Sequence, residues 1–242
     1  MKPKKVNKCI IDADIVAYRS AAGTEGQTQE DTKNKVDVLM NYIVNETVVF
    51  PTEDNLECYL TGSDNFRYDV AKTAPYKGNR KDVPKPSNLP AARAYLQKKW
   101  GSVVSHGEEA DDLIGIAATR NDPETTVVCT IDKDMLQLPC WHFNFVKNEW
   151  KYVGVEYGNK FFYTQILTGD SADHILGLHR IGPKKAEKIL EGLTTEKDLY
   201  DKCIQAYKDH PYEKGDPYER VLENARLLWL RRYESQIWEP PK

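Results

Sequence analysis

The chain has 242 residues, 40% of them hydrophobic and 29% charged, with a formal net charge of −3 at pH 7. That length suffices for one large domain, or a domain with a smaller appendage, and no apolar run is long enough to span a membrane. Five cysteines (Cys9, Cys58, Cys129, Cys140, Cys203) are scattered and never spaced as CxxC, which argues against a zinc site or a disulfide framework and for reduced thiols.

The N-terminus, MKPKKVNKCIID, is basic but lacks the apolar stretch of a signal peptide, so a cytoplasmic protein is expected. Lys8 to Ile11 reads as a short buried strand with Asp12 at its end, followed by a helix over 14–22. The polar run 24–34 reads as a loop. Val36, Leu39, Met40, Ile43, Val44 and Thr47 then fit the i, i+3, i+4, i+7 stripe of a helix. Leu56 to Leu60 is a second strand. The segment from Arg67 to Lys85 carries Arg67, Lys72, Lys77, Arg80, Lys81 and Lys85 against Asp69 and Asp82, with Tyr68 and Tyr76 interleaved. A helix over 91–100 stops at Gly101, and Val103 and Val104 form a short strand. Ala110, Leu113, Ile114, Ala117 and Ala118 give a helical face whose first turn holds Glu109, Asp111 and Asp112. Thr126 to Ile131 is a β-branched run suited to a strand buried on both faces, and Asp132 ends it. Aromatics alternate through Trp141, Phe143 and Phe145 and again through Trp150 and Tyr152, the pattern of a hairpin. From Tyr163 onward the pattern is helical, and the last strong helix is expected over 218–235.

Strands alternating with helices, with acids at strand ends, predict an α/β fold. Its mostly parallel central sheet is flanked by helices, and its site lies at the carboxyl edge. Asp12, Glu109, Asp111, Asp132, Asp134, Asp170 and Asp173 are oxygen donors of the kind Mg²⁺ or Mn²⁺ takes. Taken singly, each acid reads as well as a helix cap or a solvated turn. Together they form an acidic centre: without these seven and Asp112, the rest of the chain carries +5. No phosphate-binding glycine loop or nucleophilic-serine motif is present, and the five histidines lack metal-ligand spacing.

Six blocks in one order resemble the 5′-nuclease family, which includes flap endonucleases, the 5′-nuclease domain of bacterial DNA polymerase I and phage 5′–3′ exonucleases. They are Ile11-Asp12 with Tyr18-Arg19; Phe66-Arg67; Tyr76-Lys77-Gly78-Asn79-Arg80; Glu109-Ala110-Asp111-Asp112; Asp132-Lys133-Asp134 with Gln137-Leu138; and Gly169 to Asp173 leading to Ile181-Gly182-Pro183-Lys184-Lys185-Ala186. The NFRYD, YKGNR and IWEPP stretches look most like a T7-type phage exonuclease.

The resemblance implies a flap-endonuclease-like fold, with a metal-dependent 5′-nuclease domain over 1–160 and a helix-hairpin-helix DNA-binding subdomain over 161–242. It implies two Mg²⁺ or Mn²⁺ ions: Asp12, Glu109, Asp111 and Asp132 serve the first, and Asp134, Asp170 and Asp173 the second. Lys77 and Arg80 become the cations for the scissile phosphate. Arg19, Arg67, Tyr76, Gly182, Lys184 and Lys185 join them as DNA contacts, with Tyr76 stacking on an unpaired base. The implied activity is 5′–3′ exonucleolytic hydrolysis of duplex DNA from free 5′ ends, with RNA–DNA hybrids as further substrates in replication. A 5′-flap endonuclease and a catalytically weak junction-binding relative are the alternatives. No membrane partner is expected, and a monomer is.

Two positions depart from the family pattern. The Asp usual just after the second strand has no clean counterpart among Thr61, Ser63 and Asp64. In the hairpin, Arg180 stands where the family has a turn glycine; a positive φ there would cost about 1 kcal/mol or more.

Overall fold

The computed structural model describes residues 2–47, 52, 54–80 and 83–242, so Lys81 and Asp82 of the basic run lie outside the described residues. In chain order the elements are β1 (Lys8–Asp12), α1 (Ala13–Ala22), α2 (Gln29–Thr47), β2 (Leu56–Leu60), α3 (Arg67–Val70), α4 (Leu89–Trp100), β3 (Val103–Val104), α5 (Ala110–Thr119), β4 (Thr126–Cys129), β5 (Trp141–Asn144) and β6 (Glu149–Tyr152). Then follow α6 (Val155–Thr168), β7 (Gly169–Asp170), β8 (Ile175–Leu176), α7 (Pro183–Ile189), α8 (Glu196–Asp209) and α9 (Pro217–Leu228).

The chain forms two compact units. The first comprises Met1–Asn65, Pro84–Val153 and Arg232–Glu234. The second comprises Phe66–Val83, Gly154–Arg231 and Ser235–Lys242. The division expected after residue 160 thus falls at Val153–Gly154, ahead of α6. The basic segment, expected in the nuclease half, groups with the helical unit.

Among the described residues the first unit holds a six-stranded sheet in the order β3-β2-β1-β4-β5-β6. Every neighbouring pair is parallel except β5–β6, an antiparallel hairpin that sets Trp141 opposite Tyr152 and Phe143 opposite Trp150. The centre of the sheet is apolar because β1 and β4 contribute Cys9, Ile10, Ile11, Val127, Val128 and Cys129, all fully buried. From β1 the chain winds outward through β2 to β3, then returns to place β4 on the other side of β1. Such a reversal leaves a crevice beyond the carboxyl ends of the two central strands, the usual place for a site in an open α/β sheet. Asp12 ends β1, and Thr130 follows β4.

Element ends differ from the sequence reading: β4 stops at Cys129, short of the expected Ile131, and two helices are bounded elsewhere. α2 begins at Gln29, inside the run expected to be loop, because Thr28 and Asp31 cap it reciprocally. The Asp31 N–H donates to Thr28 Oγ1 (3.2 Å), and the Thr28 N–H to Asp31 Oδ2 (3.1 Å). α9 stops at Leu228 rather than running to 235, since the guanidinium of Arg67 donates to the carbonyls of Leu227 and Trp229 at 2.8 Å each.

The second unit packs α6, α7, α8 and α9 around Phe162, Tyr163, Ile166, Cys203, Tyr207 and Val221. β7 and β8 cross so closely that a Cβ on Gly169 would lie 2.2 Å from the Ile175 carbonyl oxygen, and one on Gly177 2.1 Å from the Thr168 carbonyl carbon. Only glycine fits either position.

Candidate active site

In the first unit, the carboxylates gather where β1, β4 and α5 end or begin. Asp12 is both the last residue of β1 and the N-cap of α1. Its Oδ1 accepts the Ile15 N–H (3.3 Å) and its Oδ2 the Thr130 hydroxyl (2.7 Å). The same hydroxyl accepts the Asp132 N–H (3.0 Å), so Thr130 bridges the ends of the two central strands. Burial of Asp12, with smaller contributions from neighbouring Asp14 and Asp132, pushes its carboxyl up to about 7 against the opposing Thr130 hydrogen bond. Asp132 caps the 3₁₀ turn Lys133–Gln137 by accepting the Asp134 N–H (2.9 Å). Asp134 lies beside the exposed Lys133 ammonium (3.0 Å).

Glu109 is the buried N-cap of α5, with Asp111 half-buried in the first turn. Asp112 is fully buried, and its carboxylate accepts the Glu109 N–H (3.2 Å), which makes it part of the helix cap. Acids at this helix start also meet the positive end of the helix dipole. Asp64, one candidate for the missing post-β2 acid, instead accepts the Gly107 N–H (2.8 Å). Arg19 is exposed on α1.

In the second unit, Asp170 is buried and closes a turn by accepting the N–H groups of Ala172 (2.7 Å) and Asp173 (3.3 Å). Asp173 anchors the YKGNR segment. Its Oδ1 receives Arg80 Nη2 (2.6 Å), and its Oδ2 the Tyr76 hydroxyl (2.8 Å), with Lys77 Nζ at 3.7 Å. Backbone contacts reinforce the clamp: Lys77 N–H to the Asp173 carbonyl (2.9 Å), Asn79 Nδ2 to Ser171 (2.8 Å) and Arg80 Nε to Ala172 (2.9 Å). Lys77 holds φ 53°, the left-handed conformation a tight turn needs.

Two expected DNA contacts are corrected. Tyr76 is only 4% exposed and packs in the helical core, so its ring offers no platform for a base; the exposed ring here is Tyr68, 5.7 Å away and edge-on. Arg67 is 1% exposed and spends its guanidinium on the carbonyls after α9. Gly182, Lys184 and Lys185 are exposed around the start of α7. Arg180 takes φ 59°, so the turn does require the left-handed conformation that the family meets with glycine.

The seven expected metal ligands are not drawn into a cage. Among the described residues, no three His, Cys, Asp or Glu side chains are grouped closely enough to hold a metal ion. The carboxylates lie instead on nearby donors: Asp12 on Thr130, Asp132 on a backbone amide, Asp173 on Tyr76 and Arg80. In chemistry the set still fits a hard divalent cation, since every member is a carboxylate.

Sequence inspection missed Thr130, Asp14 and Arg93. Asp14 is the one with a visible signal, a second acid two residues past a strand-ending Asp.

An open parallel sheet with acids at its switch-point edge defines the class: an α/β protein with an acidic site at the carboxyl ends of its central strands. Within that class the chain belongs to the 5′-3′ exonuclease family, whose N-terminal resolvase-like domain matches residues 7–164. Flap endonuclease Xni of Vibrio atlanticus is 30% identical over 173 residues, spanning 64% of this chain and 64% of that protein. A 5′-3′ exonuclease of Buchnera aphidicola is 26% identical over 250 residues, 96% of this chain and 85% of its own length. The fold is that of the bacteriophage T5 flap endonuclease, solved as a complex with DNA and metal ions. The TM-score is 0.65 at 15% identity, covering 92% of this chain and 88% of that one.

Proposed function

We propose that this chain is a divalent-metal-dependent 5′–3′ exonuclease that hydrolyses phosphodiester bonds from 5′ ends of duplex DNA and from the RNA strand of RNA–DNA hybrids. The observation that carries the reading is the Asp12–Thr130–Asp132 bridge at the switch-point edge, in a chain of the 5′-3′ exonuclease family. The ligands proposed for Mg²⁺ or Mn²⁺ are Asp12, Glu109, Asp111, Asp132 and Asp134 in the first unit and Asp170 and Asp173 in the second. Two such ions, when bound, supply an acidified water for attack and charge to stabilise the leaving 3′ oxygen.

The chain's own residues do the rest. Asp12 and Asp132 are held by neutral donors, a hydroxyl and backbone amides, so neither carboxylate is tied up in an ion pair. Lys77 and Arg80, fixed by Asp173, present a point charge and a planar fork suited to a phosphate. Tyr68 takes the base-stacking role first given to Tyr76. Residues 174–191 act as a helix-hairpin-helix that touches duplex phosphates through Gly182, Lys184 and Lys185 without reading sequence. Among the described residues no helix is long and apolar enough to cross a membrane.

The flap-endonuclease names of the relatives favour a second reading, a cut at the junction of a 5′ flap. One experiment separates the two. A 5′-recessed duplex, a 5′-flap duplex and an RNA–DNA hybrid, labelled at either end, are incubated with Mg²⁺ or EDTA using wild type and Asp132→Ala. Metal-dependent release of short products from free 5′ ends, absent in the variant, is expected. A single cut at the flap junction moves the assignment to the endonuclease. Binding of all three without cleavage overturns the enzyme reading.

A further inference from the structure

The end of β2 is held in a way the metal ligands do not explain. Thr61, the first residue past that strand, has all three of its polar groups engaged. Its N–H donates to Asp14 Oδ2 (2.8 Å), its carbonyl accepts Arg93 Nη2, and its hydroxyl accepts the Ala110 N–H (3.0 Å), the first amide of α5. Arg93 Nη1 pairs with the other oxygen of Asp14. One guanidinium on α4 thus joins an acid in the first turn of α1 to the backbone of Thr61, and Thr61 joins both to the start of α5.

Two of these helices, α1 and α5, adjoin or carry candidate ligands. Asp14 is two residues from Asp12, and Ala110 stands between Glu109 and Asp111. Thr61 is also one of the positions at which the family's post-β2 Asp has no clean counterpart. Thr61 is neutral, and its backbone is held by the Asp14–Arg93 pair.

We propose that Asp14 and Arg93 are positioning residues that act through Thr61 to set the placement of Glu109 and Asp111 relative to Asp12. The Arg fork is required because it meets two acceptors at once, the Asp14 carboxylate and the Thr61 carbonyl, which a lysine ammonium does not match in geometry. The pair is half-buried, with side chains 29% and 26% exposed, so its value lies in geometry more than in Coulomb energy. Truncating either partner frees the β2 end and, through Thr61 Oγ1, the start of α5.

This rests on the metal-dependent nuclease reading, and the test keeps the two apart. Arg93→Gln, Arg93→Lys, Asp14→Asn and the Asp14→Asn/Arg93→Gln double variant are compared with wild type in three measurements: Mn²⁺ binding by calorimetry, duplex DNA binding in EDTA, and kcat and KM against Mg²⁺ concentration. Each single variant is expected to weaken Mn²⁺ binding and lower kcat by about tenfold or more, with DNA affinity and KM within about threefold. The double variant should be no worse than the poorer single one, because both changes break one unit. Arg93→Lys should recover only part of the loss. Wild-type Mn²⁺ affinity and kcat in the single variants, or fully additive losses in the double, overturn the proposal. A wild-type protein that neither binds Mn²⁺ nor cleaves removes the nuclease reading beneath it.

Discussion

Asp12 and Asp132 in the first unit and Asp173 in the second are held by opposite means. At the sheet edge of the first unit, Asp12 and Asp132 accept hydrogen bonds only from neutral donors: a hydroxyl and backbone amides. In the second unit, Asp173 faces the Arg80 guanidinium, the Lys77 ammonium and the Tyr76 hydroxyl together. Neutral partners orient a carboxylate without an ion pair that a cation would have to displace. Ionic partners neutralise it and in exchange immobilise the cations. The first arrangement suits a ligand. The second holds a pair of positive groups in place.

The sharpest test of that contrast is to remove charge while keeping shape. Asp12→Asn and Asp132→Asn should each lower kcat by about 10³-fold, roughly 4 kcal/mol of activation free energy, with duplex binding nearly unchanged. Asp12→Asn should also raise the unfolding temperature at pH 8. Burial pushes the folded carboxyl up to about 7 from the ordinary 3.8, so the native state binds more protons between those values. Stability therefore falls as pH rises through that window, and the amide escapes the loss. An unfolding temperature unchanged at pH 8 would show that burial of Asp12 carries no such cost.

Next in size is Arg67→Ala. It leaves the carbonyls of Leu227 and Trp229 without their guanidinium donor and empties a buried volume, which should cost about 3 kcal/mol in urea unfolding. A midpoint close to wild type would restore Arg67 as a candidate DNA contact. His142 gives an effect of similar origin and comparable size. Buried in β5 with Nε2 on the Leu138 carbonyl (2.9 Å), it is held by burial down to about 4 from 6.5. Between those values the unfolded state binds more protons. The contribution of the neutral ring is thus complete above pH 6.5 and is lost toward pH 4, about 3 kcal/mol in all. His142→Gln should flatten that acid limb of the stability profile. Smallest is Tyr76→Phe, which deletes one hydrogen bond to Asp173 and should cost about 1 kcal/mol and a several-fold loss of turnover. Wild-type stability and turnover in this variant would show that the hydroxyl adds nothing to the Asp173 clamp.

The centre of the fold was plain in the sequence because it rests on local pattern. Apolar β-branched runs ending in Asp announced β1 and β4, and the alternating aromatics of 141–152 announced the hairpin. The roles of Tyr76 and Arg67 were not readable in that way. An aromatic between lysines and an arginine after a phenylalanine look like a recognition segment. Their burial depends on Asp173, 97 residues beyond Tyr76, and on carbonyls 160 residues or more beyond Arg67. Thr130 escaped notice for a related reason: a threonine closing a β-branched run looks like more strand, and only the parallel pairing of β1 with β4 brings its hydroxyl to Asp12. Arg180 ran the other way. A missing glycine in a known hairpin pattern foretold a strained backbone, and φ 59° is what the chain adopts.

The composition of the second unit bears on how the molecule is made. Phe66–Val83 leaves the ribosome long before the helices that complete its unit, and Arg67 and Thr73 find their partners only when α9 has emerged. During synthesis this cationic stretch must wait, unfolded, while roughly 140 more residues are added, about 7–30 s at ordinary elongation rates. Its final docking has high contact order and is expected to be the slow step of folding.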